Sequence, residues 1–110
     1  MLTVEGHLSA VEGVAASILM KELVGRDQVA FIGNLGAMTT YDREARLAWQ
    51  DAFRGKQKQI EKIYICSASP MLRVAAAAVC LYAGIKMVII DSMNDLPATD
   101  RPPAHEHLVA

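Results

Sequence analysis

The sequence carries almost no net charge, since its 11 basic and 12 acidic residues give a formal charge of -1. This balance argues against a nucleic-acid partner, because phosphate backbones select clearly basic domains. It gives no support to binding at an anionic membrane surface either. Cysteine is also scarce, and Cys66 and Cys80 do not form the spaced framework of a secreted disulfide scaffold. We therefore expect a reduced protein of the cytoplasm.

Long uninterrupted apolar runs are missing as well. The most apolar segment, residues 11–23, is interrupted by Glu12 and Lys21, is too short to span a bilayer and follows no basic stretch. It predicts an amphipathic or buried helix, and we expect no membrane insertion. Aromatic residues make up only 5% of the chain. The abundance of aliphatic and small apolar residues instead suits a layered α/β domain.

Strand-like and helical patterns alternate along the chain. Their order, β-α-β-α-β-α-β with short loops, predicts one α/β domain with a mostly parallel sheet of about four strands and helices packed on it. We place this domain at residues 1–96 and a Pro-rich C-terminal tail at residues 97–110. The strands are expected near residues 2–5, 28–35, 62–66 and 87–90.

Three helices are predicted from capping residues and apolar spacing. Ser9 caps the first, and Gly13 within it indicates close packing on the sheet. The third begins at Ser69-Pro70 and carries no charge after Arg73, so we expect it to be largely covered. The apolar positions at helical spacing are Val11, Val14, Ala15, Ile18 and Leu19 in the first helix and Ala45, Ala48, Trp49, Ala52 and Phe53 in the second.

The junction between the third strand and the third helix is a candidate contact for an anion or ligand. Ser67 and Ser69, with the amides that open the helix, suit an anion, although helix capping alone explains Ser69. Arg73 either solvates the helix or meets a partner's carboxylate. Cys66 and Arg73 are separated by six residues, where a phosphatase loop has five, and the loop lacks glycines. This spacing favours a buried thiol over a nucleophile.

Residues suited to catalysis or metal binding are few. His105 and His107 flank Glu106 in the Pro-rich tail, with too few partners for a structural zinc site. His7 is the only histidine inside the predicted domain, and no serine or cysteine is tied to it by sequence. We therefore predict no catalytic residue, no metal and no cofactor.

Residues 31–42 carry the clearest resemblance to a known family. This segment, FIGNLGAMTTYD, resembles the STAS domain of anti-sigma-factor antagonists, which has the SpoIIAA-like fold. In that family an Asn-Leu or Asp-Leu strand end leads through a short loop to an Asp and a phosphorylatable Ser. Here Asp42 matches the Asp, but Arg43 stands at the phosphoserine position. The resemblance implies a domain without the usual switch, in which Thr39 and Thr40 either accept phosphate or cap a helix.

A second segment, SPMLR at residues 69–73, resembles the small STAS/SEC14-like bacterial proteins. That set has no firmly assigned chemistry, and the resemblance covers about residues 2–91. Many of its members carry an additional N-terminal strand or hairpin. This chain starts directly at the first predicted strand, so we expect an open sheet edge there.

The resemblance implies a non-catalytic regulatory module that binds a protein partner or a second copy of itself. The contact would be the sheet edge and the loop formed by Met38, Thr39, Thr40, Tyr41, Asp42 and Arg43. The Ala-rich third helix, with Met71, Val79 and Tyr82, is a further surface for a homodimer. The alternative is a small carrier that takes a lipid or another apolar ligand in a cavity between helices and sheet.

Overall fold

The computed structural model describes residues 1–25, 28–100 and 108–110. Strands and helices alternate in the predicted order through the first 90 residues. The elements are β1 (Leu2–Leu8), α1 (Ala10–Leu23), β2 (Val29–Tyr41), α2 (Arg43–Gly55), β3 (Ile60–Cys66), α3 (Pro70–Ala83), β4 (Lys86–Ile90) and β5 (Leu108–Val109), with 3-10 turns at Met93–Asp95 and Ala98–Asp100.

The strands form one sheet in the order β4-β3-β2-β1-β5, and every neighbouring pair is parallel. This confirms the predicted α/β fold with four parallel strands and three helices. The fifth strand was not predicted. It pairs with Leu2 and Thr3, and the Ala110 N–H donates to the Thr3 carbonyl at 2.9 Å. The chain's own C-terminus therefore covers part of the β1 edge that we expected to be open.

All three helices lie on one face of the sheet, because β1 to β4 are neighbours in sequence order and each crossover returns on the same side. Helix α2 packs between α1 and α3. The main core lies beneath them, around an aromatic trio of Phe31, Trp49 and Phe53 with ring centroids 5.0–5.5 Å apart.

The opposite face of the sheet carries a smaller apolar cluster of Ile32, Tyr64, Cys66, Ile90 and Leu96. The segment after β4 covers it. The Tyr64 hydroxyl and Asp100 Oδ2 are 2.5 Å apart, and Lys62 Nζ lies 3.4 Å from the same carboxylate. These contacts place residues on both sides of the predicted boundary at residue 96 against the sheet. The division into a domain and a tail stays a prediction.

Residues 36–41, which we expected to form a loop, continue strand β2 instead. Gly6 pairs with Met38, His7 with Thr40 and Leu8 with Tyr41. The reason is that β1 also runs longer than predicted, to Leu8, so the Thr-Thr-Tyr segment finds a strand partner that suits its β-branched and aromatic residues. The segment predicted to contact a partner is thus strand up to Tyr41, with Asp42 as the N-cap of α2.

Helix α1 turns its large apolar residues toward solvent, contrary to their pattern in the sequence. Val11 is 79% exposed, and Val14, Ile18 and Leu19 are 41–47% exposed. Its buried residues are Gly13, Ala16, Ser17 and Met20.

Close approach between helices explains this choice of face. A Cβ atom at Gly13 would lie 2.8 Å from the Cα of Ala45, so α1 meets α2 almost backbone to backbone. Only a face of small side chains fits there. The predicted close packing at Gly13 therefore occurs, but against α2 and not against the sheet.

Helix α3 is only partly covered, which corrects the expectation of a largely buried helix. Leu72, Val79, Cys80 and Ala83 are buried, whereas Val74 is 70% and Leu81 is 84% exposed. The predicted start is confirmed, since the Leu72 N–H donates to Ser69 Oγ and Pro70 occupies the first turn. Among the described residues, no helix is both long and apolar enough to cross a bilayer.

Candidate functional site

The β2–α2 and β3–α3 junctions lie at the carboxyl end of the sheet, where ligands usually meet an open parallel sheet. The first junction contains the predicted contact residues Met38, Thr39, Thr40, Tyr41, Asp42 and Arg43. The second contains Ser67, Ser69 and Arg73. Met38 and Tyr41 of the first set line an apolar cavity, whereas Ser67, Ser69 and Arg73 do not.

That cavity has a volume of about 100 Å³ and an almost entirely apolar lining. Its floor is formed by sheet residues, including Val4, Phe31 and Ile63. Its roof is formed by the helices, including Trp49 of α2 and Ala76 of α3. The cavity lies between the helices and the sheet. This is where a small carrier, the alternative function predicted from the sequence, would hold its apolar ligand.

Small side chains leave the space unfilled. Gly33 on β2, Ala45 on α2 and the neighbouring Ala75 and Ala76 on α3 all face the cavity. Protein interiors contain few voids of this size, because the lining atoms lose their dispersion contacts.

Two buried N–H groups beside the cavity have no hydrogen-bond partner among the described residues. They are Trp49 Nε1 and Arg46 Nε, and both side chains contribute to the cavity wall. The two residues are three positions apart on α2, so they share one face of the helix. Leaving a buried donor unsatisfied costs about 1–3 kcal/mol, which makes this pair unusual in a folded protein.

A shallow depression adjoins the cavity and shares two of its wall residues. It is lined by Thr40, Tyr41, Arg43, Arg46 and Met71, and Tyr41 and Arg46 belong to both. Neither arginine forms an ion pair within the part of the chain that the structure describes. The depression at the mouth of the cavity therefore has two cationic side chains and no acidic one in its described lining.

The ends of β1 and β2 carry a hydrogen-bonded cluster that sequence reasoning missed. His7 Nδ1 lies 2.6 Å from Thr40 Oγ1, and His7 Nε2 lies 3.0 Å from Asp42 Oδ1. The other Asp42 oxygen accepts the Ala10 N–H at 2.9 Å. This backbone hydrogen bond, followed by the one from His7, lowers the pKa of Asp42.

The order of hydroxyl, imidazole and carboxylate is that of a hydrolase triad, but the setting differs. His7 and Thr40 are exposed, and the Asp42 carboxylate also holds the start of α1. Catalytic triads depend on donors that act in a site from which water is excluded. We interpret the cluster as a tether that joins both strand ends to α1. The pairing register of β1 and β2 sets His7 beside Thr40, and this register is the feature from which the cluster could have been predicted.

At the β3–α3 junction the polar groups are satisfied within the chain. Ser67 Oγ accepts the Ser69 N–H at 3.1 Å, and Ser69 Oγ accepts the N–H that opens α3. Arg73 donates to the Ser67 carbonyl at 2.6 Å and to Asp91 Oδ1 at 3.2 Å. The carboxylate that meets Arg73 thus belongs to this chain. The anion contact predicted for these residues stays a prediction, and a neighbouring Asp does not favour it.

Neither cysteine has the properties of a reactive thiolate. Both are free and buried. Burial, followed by the negative charges of Asp91 and Asp95, raises the pKa of Cys66, and burial raises the pKa of Cys80 to about 11. These directions agree with the interpretation of Cys66 as a buried thiol. His105, Glu106 and His107 lie outside the described residues.

The fold has a counterpart among solved structures, although no protein-family model and no curated protein matches the chain. The chain is similar to an uncharacterized protein from the DUF3478 family with a SpoIIAA-like fold from Shewanella loihica PV-4. The TM-score is 0.65 with 8% sequence identity, over 83% of this chain and 75% of that one. Similarity at this identity shows the fold alone. This chain has the SpoIIAA-like fold, as the resemblance predicted.

Proposed function

We propose that this protein is a non-catalytic module that holds a small apolar ligand between α2, α3 and the sheet. The apolar cavity of about 100 Å³ carries the proposal. Cavities of roughly 150 Å³ with similar linings stay dry and bind benzene. A void of this size therefore suits a short chain or a single ring. Residues 1–96 form the binding domain in this proposal, and residues 97–110 form the tail that follows it.

Two further features support the proposal, the first for a location in the cytoplasm and the second for a role without the phosphoserine switch. Cys66 and Cys80 are free, so no disulfide between them contributes to the fold. Arg43 has no hydroxyl, so the phosphoserine switch of the STAS regulators is not expected at this position.

A titration with n-alkanols of increasing chain length tests the cavity. Trp49 is the only tryptophan and lies in the cavity wall, so its fluorescence reports occupation directly. Each buried CH₂ group contributes about 0.8 kcal/mol, so we expect affinity to rise with length and then level off when the cavity is full. A fluorescence signal that stays unchanged through octanol would refute the proposal.

Two neighbouring alanines of α3 provide a matched pair of variants. Ala76 lines the cavity, whereas Ala77 is exposed. We expect Ala76→Leu to fill the void and abolish alkanol binding while the thermal midpoint stays equal or rises. Ala77→Leu adds the same volume outside the cavity and should bind like the wild type. Equal binding by both variants would show that the alkanol binds elsewhere.

The exposed apolar face of α1 favours a second candidate function, a protein-interaction module that forms a homodimer. Val11, Val14 and Ile18 follow i, i+3, i+7 spacing, so they lie on one exposed face of α1. A two-fold contact with the same face of a second copy would cover these side chains. In this candidate the segment at residues 38–43 remains a contact for a protein partner.

Sedimentation equilibrium tests this second candidate. We expect a concentration-dependent dimer that Ile18→Glu on α1 dissociates and Val74→Glu on α3 leaves intact, since both side chains are exposed in the single copy. Loss of the dimer in the α3 variant alone would move the interface to α3. A wild-type monomer at every concentration would rule out the homodimer.

A further inference from the structure

We propose that the ligand is an amphipathic oxyanion, a carboxylate or phosphate on an apolar chain, whose head binds Arg43 and Arg46. This inference rests on the proposed binding of an apolar ligand in the cavity. It adds the chemical class of the ligand and the residues that recognise its head.

The cavity and the depression outside it share two wall residues. Tyr41 and Arg46 line both, so an apolar chain inside the cavity would emerge between these two side chains. The depression has a volume of about 380 Å³, which leaves room for a polar head. Met71, half exposed at its edge, offers an apolar contact for the part of the chain outside the cavity.

The depression is lined by two arginines and by no acidic residue among those described. Arg43 and Arg46 stand three residues apart on the first turns of α2, so they occupy one face of the helix. Cations are unfavourable near a helix N-terminus because of the helix dipole, so neither arginine is explained by helix stability. Of the two acids that flank Arg43, Asp42 is already bound to His7 and to the Ala10 amide, and the exposed Glu44 forms no ion pair among the described residues.

The buried Arg46 Nε adds an observation independent of the helix end. It has no hydrogen-bond partner among the described residues, and Trp49 Nε1, one turn further along α2, has none either. Guanidinium groups recognise carboxylate and phosphate through paired N–H donors. Because Nε itself is buried, an oxyanion in the depression would meet the terminal N–H groups of the same guanidinium.

The cavity volume limits the apolar part of the ligand. It is below the roughly 300–1,000 Å³ of pockets that enclose a whole ligand. The cavity therefore holds a short chain or one end of a longer one. The head remains in the depression, where the arginines are.

The test compares ligands that share one tail and differ in their heads. Octanoate, octyl phosphate and octanol are titrated against the full chain with Trp49 fluorescence and calorimetry. We expect at least one of the two anions to bind about tenfold more tightly than octanol, because charge-assisted hydrogen bonds add to the same apolar burial. The tighter of the two identifies a carboxylate or a phosphate head.

Charge variants show which residues recognise the head. Arg46→Gln and Arg43→Gln should reduce anion affinity toward that of octanol. Arg43 lines the depression and not the cavity, so Arg43→Gln should also leave octanol binding unchanged. Lys58→Gln removes the same charge from an exposed turn after α2 and should leave anion binding unchanged. Thermal midpoints of all three variants confirm that they are folded.

Distinct outcomes separate this inference from the proposed function. If octanol binds, Ala76→Leu abolishes its binding, and neither anion binds more tightly, the cavity function stands and the oxyanion inference is wrong. Inorganic phosphate that binds as tightly as octyl phosphate would also overturn it, since the tail would then be irrelevant. If no octyl compound binds, both proposals are wrong.

Discussion

The two βα junctions at the carboxyl end of the sheet differ in how completely their polar groups are satisfied. At the β3–α3 junction, Arg73 holds both the Ser67 carbonyl and the Asp91 carboxylate. At the β2–α2 junction, Arg43 and Arg46 form no ion pair within the described residues. The first arrangement stabilises the fold, whereas the second leaves charge available for another molecule. This contrast separates a structural arginine from a candidate binding arginine on the same edge.

The largest expected effect compares the two kinds of arginine. Arg73→Gln removes charge-assisted hydrogen bonds and should lower the free energy of unfolding by about 1.5–2 kcal/mol. Arg46→Gln removes a buried Nε donor that has no partner among the described residues, so the free energy of unfolding should stay equal or rise. Urea denaturation measures both. A larger loss in Arg46→Gln than in Arg73→Gln would invert the comparison.

The N-cap of α3 gives the next effect. Ser69 Oγ accepts an N–H of α3, so Ser69→Ala should cost about 1 kcal/mol. Ser67→Ala serves as the comparison. It removes a hydroxyl from the same junction, and that hydroxyl accepts only the Ser69 N–H. Denaturation curves that coincide with the wild type for Ser69→Ala would show that this cap contributes nothing.

Acid titration probes the tether at the β2–α2 junction. The folded-state pKa of Asp42 lies below its ordinary value of 3.8, so the ionised form is favoured by folding. The stabilisation is therefore fully present above about pH 4 and is lost as the pH falls through the lowered pKa. Asp42→Asn should be less stable than the wild type near neutral pH, and the difference should shrink below pH 3.8. A difference that is constant from pH 7 to pH 2 would contradict this.

The smallest effect is expected from Arg43→Ser, which restores the residue type of the STAS phosphorylation site. Since Arg43 is exposed and has no ion pair among the residues that the structure describes, stability should stay within about 0.5 kcal/mol of the wild type. Phosphopeptide mapping of the wild type completes the test. A phosphate found on Thr39 or Thr40 would show that the module carries a switch after all.

Local signals predicted much of this fold from the sequence. The caps at Ser9 and Ser69 and the buried stripe around Trp49 and Phe53 are present as expected. Such features depend on residues within one or two turns of each other. The same reasoning was wrong for α1, where apolar spacing indicated the helix but gave no sign that Gly13 would press against Ala45.

Only part of the candidate site could be predicted from the sequence. The segment at residues 38–43 was singled out from its resemblance, yet its place at the mouth of a cavity follows from small residues on three separate elements. The pairing of His7 with Thr40 and Asp42 also escaped notice, because those residues are more than 30 positions apart. Sequence spacing carries no information on such contacts until the strand register is known.

By itself, the amino-acid sequence determined the three helices, the first four strands in outline and their alternation around a parallel sheet. Those properties arise from periodicity, capping and backbone preference, all of which act between near neighbours. Only the tertiary structure decided which helix faces are buried, where space is left under α3 and which arginines lack a partner. These outcomes depend on distances between segments remote in sequence, which are set when the whole layer packs together.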